Sequence, residues 1–315
     1  MARYILRRAL LLVATMLVTS FIIFFLTQLL PGDTARLILG REASEQALEA
    51  LREEFGLNDP FFTQYTNWLS RFVMGDWGRS LTSGNPEVRP LVMGRLENSL
   101  RLALMTFIIS IPLSILLGVI AALRENSVID SAISVVSLSV VGLPEFVTGL
   151  VLINIFALQL DWLPATAQVP QNGTIGDWIR VLLLPALTAT FVLLGYVSRM
   201  ARAGVIEEIR KPYVRTATLK GLPRRQVIFK HVLRNALLPT ITVVALSVGW
   251  LIGGLVVIEN VFNYRGIGAL LVEAVKQKNI PVLQAVVMMT IFFYALANFA
   301  ADLIYALLNP RIRLQ

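Results

Sequence analysis

Long apolar stretches constrain the fold of this chain more than any other feature of its sequence. The first runs from Ala9 to Leu30 and follows a basic start at residues 1–8. A secretory signal peptide has the same order, but its apolar region is shorter and ends at a small-residue cleavage site. About 20 apolar residues cross the hydrocarbon core of a bilayer. We therefore predict that residues 1–30 form a retained transmembrane anchor helix.

Five further apolar stretches predict five more spans, and hence an all-α integral membrane protein with six transmembrane helices. Hydrophobic residues make up 56% of the sequence and charged residues only 15%, which favours a membrane protein over a soluble domain. The predicted spans are Leu100–Leu123, Ile133–Leu160, Val181–Val197, Leu237–Ile258 and Leu283–Leu308.

Basic residues are concentrated on one side of the predicted bundle. Residues 199–236 carry ten lysines and arginines, whereas 259–281 carry three and 161–180 carry one. Loops of membrane proteins with excess Lys and Arg stay in the cytoplasm. Both termini and residues 199–236 are therefore predicted to be cytoplasmic. The net charge of +8 then orients the protein in the lipid bilayer and does not indicate binding of nucleic acid.

This topology divides the chain into four parts. The anchor is followed by an extracytoplasmic loop over residues 31–99, which is too long for a simple connector. Residues 100–308 form a five-helix core that includes the cytoplasmic loop 199–236. Residues 309–315 form a cytoplasmic tail.

The long outer loop is predicted to contain two short helices that form a small cap. Ser44–Phe55 has helical composition, with Ser44 as a plausible N-cap and Gly56 as a stop. Tyr65–Met74 is the second. Tryptophans of the outer segments fit an aromatic belt at the membrane surface; they are Trp68, Trp77, Trp162 and Trp178.

Several kinds of chemistry are disfavoured by composition. The chain has no cysteine and one histidine, which excludes disulfides and thiolate metal sites and disfavours a histidine metal cage or a Ser-His triad. No nucleophile–base–orienter set indicates an intramembrane enzyme. No G-x-x-x-x-G-K-[ST] sequence occurs, so nucleotide phosphates cannot be bound by a P-loop. We expect no cofactor and no enzymatic activity in this chain.

The basic segment contains more helix start and stop signals than a loop that only orients the chain requires. Pro212 suits the first turn of a helix over Tyr213–Lys220, Gly221 suits its left-handed end, and Pro223 begins a second helix. We predict that one face of the first helix, small in its middle, lies in a groove of a partner protein. The alternative is a loop that only orients the chain. By i, i+3, i+4, i+7 spacing, this face comprises Tyr213, Thr216, Ala217 and Lys220.

The order of short motifs along the whole chain resembles the dipeptide/oligopeptide/nickel-type permeases of ABC importers. These motifs are Arg-Tyr-Ile-Leu-Arg-Arg at 3–8, Leu-Pro-Gly-Asp at 30–33, Tyr-Val-Arg-Thr-Ala at 213–217, Lys-Gly at 220–221, Leu-Arg-Asn-Ala-Leu-Leu-Pro at 233–239, Glu-Asn-Val-Phe at 259–262, Gly-Ile-Gly at 266–268 and Asn-Pro-Arg-Ile-Arg at 309–313. The general cytoplasmic "EAA" signature of ABC permeases is matched only at Ala217, Gly221 and Leu233. Arg265 and Thr34 stand where this branch usually has proline.

The resemblance implies a type I ABC importer permease fold and a place as the first permease of a pair in the inner membrane. The implied partners are a homologous second permease, one or two cytoplasmic ATPases and an extracytoplasmic binding protein. Di- and oligopeptides are the implied substrates, with nickel chelates, glutathione or opines as alternatives. The implied coupling residues, which contact the ATPase, are Tyr213, Arg215, Thr216, Ala217, Lys220 and Gly221. A secondary transporter is the rival class, and it would show inverted repeats and charges in several spans.

Polar and small residues inside the predicted spans are candidates for the translocation path. Pro144 and Glu145 interrupt the third span, where an acid is costly and indicates function, although proline can simply kink a helix. Ser247 and Gly249 in the fifth span suit close helix packing as well as a path. Asp302 in the last span is expected to pair with a nearby arginine; the candidates are Arg199 and Arg202.

Overall fold

The computed structural model describes residues 2–29, 44–54, 58–82, 84–168 and 173–308. The motif at 30–33, Thr34, Gly56 and the tail 309–315 lie outside the described residues. Helices dominate the described ranges. In chain order they are α1 (Ala2–Gln28), α2 (Glu45–Glu54), α3 (Phe61–Met74), α4 (Val88–Leu123), α5 (Val128–Gly142), α6 (Glu145–Gln159), α7 (Ile175–Ile209), α8 (Pro212–Leu219), α9 (Arg224–Ala236), α10 (Leu238–Gly253), α11 (Val256–Val261), α12 (Ile267–Lys276) and α13 (Ile280–Leu308).

Four of these helices, α1, α4, α7 and α13, are long and apolar enough to cross a membrane alone. Two bent pairs pass the same test together, α5 with α6 at 109° and α9 with α10 at 52°. The described residues therefore provide up to six spans if each bent pair counts as one. The predicted span Ile133–Leu160 is interrupted at Pro144, as expected, but the break is sharper than a kink within one helix, because α5 and α6 meet at 109°. Leu143 and Pro144 are both extended, because a residue that precedes proline disfavours the helical conformation.

Two spanning helices are longer than their apolar stretches. α4 begins at Val88 rather than at Leu100, and α7 runs from Ile175 to Ile209 rather than from Val181 to Val197. At 1.5 Å per residue each is roughly 50 Å long, well beyond the ~30 Å hydrocarbon core. Hydropathy misses the added turns because they carry polar residues such as Arg95. Residues 88–99 thus belong to a spanning helix.

The first and last helices lie antiparallel along their length. Arg8 near the start of α1 forms a 2.9 Å ion pair with Asp302 near the end of α13. At the opposite end, Gln284 Nε2 donates to Thr27 Oγ1 at 2.7 Å. α3 packs on this second end of α1 through aromatic rings; the rings involved are Phe21, Phe24, Phe25, Phe61, Tyr65 and Trp68.

Asp302 is paired as predicted, but the predicted partners are wrong. Arg202 instead makes a bidentate contact with the buried Asp130 of α5, at 2.6 and 2.7 Å. Arg199 Nε donates to the carbonyl oxygen of Gly195 in its own helix. Both arginines are on α7, whose neighbour is α5, so the pairing follows helix adjacency that the sequence alone does not reveal.

The short helices of the outer segment are confirmed. The Ser44 hydroxyl accepts a hydrogen bond from the amide of Ala47 at 3.3 Å, as an N-cap does. α3 ends at Met74, as expected, but begins four residues earlier than Tyr65, at Phe61 after Pro60.

Close backbone contacts hold the central helices together. A Cβ on Gly118 of α4 would lie 2.4 Å from the Ser198 carbonyl oxygen of α7, and one on Gly204 of α7 would lie 2.3 Å from the Ala236 carbonyl oxygen of α9. Small residues allow such approaches in membrane bundles. α7 therefore forms the centre of the bundle, with α4, α5 and α9 packed around it.

Candidate functional site

The basic segment folds as a helix, a glycine turn and a second helix, as its sequence predicts. Pro212 occupies the first turn of α8, and Gly221 follows the helix with φ = 78°. The amide of Leu222 returns to the carbonyl oxygen of Ala217, and Pro223 then caps α9. This left-handed turn reverses the chain between α8 and α9.

One face of α8 is buried against the chain itself. Val214 and Ala217 point into an apolar cluster at this end of the bundle, and Tyr213 packs at its edge. The predicted docking face is therefore wrong in part, because Ala217, its middle, is not available to a partner. The rest of the cluster comes from α4, α7 and α9; its members are Ala122, Val205, Val227, Val232 and Ala236.

The opposite face of α8 is open. Arg215, Thr216 and Lys220 are exposed, and Leu219 exposes 79% of its surface. Phe229, in a π-helical stretch of α9, is 65% exposed and lies under Arg225. Exposed large apolar side chains amid basic residues outside the spans are typical of a protein contact. We call the surface formed by Arg215, Thr216, Leu219 and Lys220 the α8 outer face.

Polar contacts fix α8 to the end of α7. The Tyr213 hydroxyl donates to the Glu208 carboxylate at 2.6 Å, and Lys211 Nζ donates to the other oxygen at 2.5 Å. This hydrogen bond raises the pKa of Lys211, which keeps the lysine charged. Burial, followed by the bond to Glu208, raises the pKa of Tyr213, which keeps its hydroxyl protonated as the donor.

The sharp corner between α5 and α6 positions the second group of predicted residues. Pro144 is the N-cap of α6 and Glu145 its first residue. The Glu145 side chain is half-buried, and within the described ranges no hydrogen bond or ion pair holds its carboxylate. An ionised acid without a protein partner is costly in an apolar environment, so this side chain either reaches water or stays protonated.

The two predicted residues of α10 make packing contacts. Ser247 is buried and donates to the Val243 carbonyl oxygen of its own helix at 2.8 Å. A Cβ on Gly249 would lie 3.1 to 3.4 Å from Asn298 and Tyr294 of α13. These contacts favour the packing alternative for both residues. They do not bring Ser247 or Gly249 together with Glu145.

A buried carboxylate outside the predicted site residues lies at the other end of the bundle. Glu259 of α11 is 0% exposed; it accepts hydrogen bonds from Ser99 at 2.5 Å and from the Ala269 amide at 2.9 Å. A Cβ on Gly266 would lie 2.1 Å from this carboxylate, so only glycine fits there. Burial raises the pKa of Glu259 to about 7. The sequence contains Glu259 and the Gly-Ile-Gly motif at 266–268, but it does not indicate that the two are in contact.

The turn around Arg265 is well held although proline is absent. The Tyr264 hydroxyl donates to the Asn98 carbonyl oxygen at 2.8 Å, and Asn98 Nδ2 donates to the Arg265 carbonyl oxygen at 2.9 Å. Asn263 takes the left-handed conformation with φ = 50°. These reciprocal bonds to α4 fix the turn, and the Arg265 side chain remains exposed.

Comparison with known proteins finds similarity along nearly the whole chain. Residues 114–314 match a family described as "Binding-protein-dependent transport system inner membrane component", and residues 1–93 match its N-terminal counterpart. A probable peptide ABC transporter permease, y4tP of Sinorhizobium fredii, is 38% identical over 313 residues, which cover 99% of this chain and 100% of the relative. The glutathione transport system permease GsiC of Escherichia coli (strain K12) is 35% identical over 314 residues, 99% of both chains.

Proposed function

This chain belongs to the family of binding-protein-dependent transport system inner membrane components, the permeases of ABC importers, and from that premise we propose that it imports di- or oligopeptides delivered by a binding protein. The names of the relatives support this substrate class. y4tP is named a probable peptide permease, and GsiC serves glutathione, itself a tripeptide. Nickel chelates and opines are the alternative cargoes.

The α8 outer face carries the proposal for the mechanism. ATP hydrolysis takes place on one or two separate cytoplasmic ATPases, because this chain has no P-loop sequence. Arg215, Thr216 and Lys220, with Leu219 between them, contact the ATPase. Tyr213 and Ala217 hold α8 on the bundle, and Gly221 sets the turn that presents it. An apolar anchor amid polar neighbours is the usual composition of an energetically important contact.

The translocation path is proposed to run beside the α5–α6 corner. Glu145 faces water there, and Pro144 maintains the bend. Ser247 and Gly249 support the border of the path by packing α10 and α13 together. A homologous second permease completes the path from the other side, since such importers pair two permeases.

The proposed topology places both termini and residues 199–236 in the cytoplasm and residues 31–87 outside as a cap, while residues 88–99 of the predicted outer loop form the first turns of α4. The Arg8–Asp302 pair supports the placing of both termini on one side, because it brings the first and last helices together near their terminal ends; the excess of Lys and Arg in residues 199–236 assigns that side to the cytoplasm. Reporter fusions at Ser83, Gly173 and Gln277 are expected outside, and one at Gln226 inside. An outside signal at Gln226 would reverse the orientation.

Uptake by the reconstituted complex tests the proposed function. The chain is purified with its second permease, ATPases and binding protein, and labelled dipeptide, tripeptide, glutathione and a nickel chelate are offered to proteoliposomes. We expect ATP-dependent accumulation of peptides, competed by unlabelled peptide. Accumulation driven by a proton or sodium gradient without the ATPases would instead identify a secondary transporter.

A further inference from the structure

A buried carboxylate lies where α7 ends and the chain enters α8. Glu208 is in the last turn of α7 and is 6% exposed, whereas the side chain of its neighbour Glu207 is 77% exposed. Burying an ionised carboxylate is costly unless charged and hydrogen-bonded partners compensate for the lost water. The cost of burying Glu208 must therefore be offset by its specific partners.

The partners of Glu208 join three helices. Its carboxylate accepts from Lys211 and from the Tyr213 hydroxyl at the start of α8, and that hydroxyl in turn accepts from Asn235 Nδ2 of α9 at 3.3 Å. Hydrogen bonds to an ionised group are shorter and roughly twice as strong as neutral ones. The network is therefore a directional connection between α7, α8 and α9.

Apolar packing alone leaves the orientation of α8 underdetermined. α7 and α9 are fixed to one another by the backbone contact of Gly204 with Ala236. α8 adds two buried side chains, Val214 and Ala217, to the adjoining cluster, and the Tyr213 ring packs at its edge. Contacts between small apolar groups have no preferred direction, so a short helix can roll about its axis on such a surface. The Glu208–Tyr213 hydrogen bond opposes that rotation.

We propose that Glu208 is a positioning residue for coupling. It fixes the rotation of α8 on α7, so that a displacement of the α8 outer face by the ATPase is passed to the α7 span. Packed interfaces convert small shifts into movements of whole elements only when the joint is stiff. The inference rests on the proposed function, because it requires an ATPase to act on α8.

Two conservative variants weaken this network. Tyr213→Phe removes one hydroxyl and keeps the ring that packs at the cluster. Glu208→Gln keeps the size of the side chain and an acceptor for the Tyr213 hydroxyl, but removes the charge. The matched control is Glu207→Gln, which removes a charge 3.8 Å from the same Lys211 and has no contact with Tyr213 among the contacts of the described residues.

The first measurement is ATP hydrolysed per substrate imported by the full complex in proteoliposomes. We expect both variants to assemble and hydrolyse ATP, with this ratio raised about fivefold or more, as for loss of a typical coupling between sites. Glu207→Gln should keep the wild-type ratio. A merely structural role would lower the amount of complex and leave the ratio unchanged.

The second measurement is the mobility of a spin label on α8, which is convenient because the chain has no native cysteine. A label at Thr216→Cys should be more mobile in Tyr213→Phe and Glu208→Gln than in the wild type or the control. Should Glu208→Gln fail to reach the membrane, Tyr213→Phe decides. Wild-type coupling and mobility in Tyr213→Phe would overturn the proposal. Failure of the wild-type complex to import with ATP would instead reject the proposed function, and the label would still test the positioning role.

Discussion

Ala217 and Leu219 are two residues apart on α8 and face opposite directions, so substitutions at them should have different consequences. Ala217→Trp forces a large ring into a filled cluster and should destabilise the fold by about 1–3 kcal/mol. Leu219→Ser removes an exposed side chain and should leave stability within about 0.5 kcal/mol, while it weakens binding of the ATPase. Thermal melting of the purified chain and co-purification of the ATPase separate the two effects. Normal ATPase recovery with Leu219→Ser would remove this residue from the contact.

Glycine is required at position 221 by the backbone conformation and not by a lack of space for a side chain. Its φ is 78°, and in the described part of the chain no atom beyond its two chain neighbours lies within 4 Å of where a Cβ would be. A β-branched residue is strongly disfavoured there, at a cost of about 1–2 kcal/mol, whereas asparagine tolerates this region. We therefore expect Gly221→Val to impair uptake and Gly221→Asn to retain most of it, at equal membrane levels. Equal uptake by the two variants would show that the turn geometry is unimportant.

Glu259 should make stability fall as pH rises, which is the direction opposite to that of an acid whose pKa is lowered on folding. Burial raises its pKa from 4.5 to about 7, so the folded chain holds a proton that the unfolded chain releases. This contribution is complete below pH 4.5 and is lost as pH rises through about 7. The melting temperature should therefore fall between about pH 5 and about pH 8, and this fall should shrink in Glu259→Gln. Glu273→Gln, which removes an exposed acid of α12, is the control and should leave the fall in melting temperature in place.

At the scale of the helical element, we predict that water reaches Glu145 at the corner between the apolar helices α5 and α6. Glu145→Cys should react with a polar thiol reagent, because the proposed translocation path brings water to this corner, and the chain has no other cysteine. Leu138→Cys, on the exposed apolar surface of α5, is the control for a position that faces lipid and should not react. We expect labelling at 145 to change when the ATPases are trapped with nucleotide. If position 145 is unreactive in every state, the corner is a structural bend alone.

The elements were predictable from sequence where local signals determine them. Pro212, Gly221 and Pro223 each have a conformational preference of their own, and they bound α8 and its turn as predicted. The buried face of α8 was not predictable, because Tyr213, Val214 and Ala217 are apolar enough for burial on either of two adjoining faces. The positions of α7 and α9 determine which face of α8 is buried, and this depends on tertiary structure.

At the scale of the whole molecule, the apolar stretches predicted the helical membrane fold, but contacts distant in sequence were hidden. Glu259 meets Ser99 across 160 residues, and Asp302 meets Arg8 across almost the full chain. Hydropathy also treated α5 and α6 as one span, because it measures composition and not direction. These contacts, rather than further motifs, tie the α11–α12 end and the two terminal helices to the bundle.

The central claim is that the α8 outer face is the contact through which an ATPase moves this permease. Its most direct test is site-specific cross-linking in the assembled complex, with the one introduced cysteine at Leu219 and, as control, at the exposed Arg265 near the α12 end. The account predicts that Leu219→Cys cross-links to the ATPase subunit, that the yield changes with bound nucleotide, and that Arg265→Cys gives no such product. Absence of the ATPase product at Leu219, or its formation at Arg265, would contradict the account.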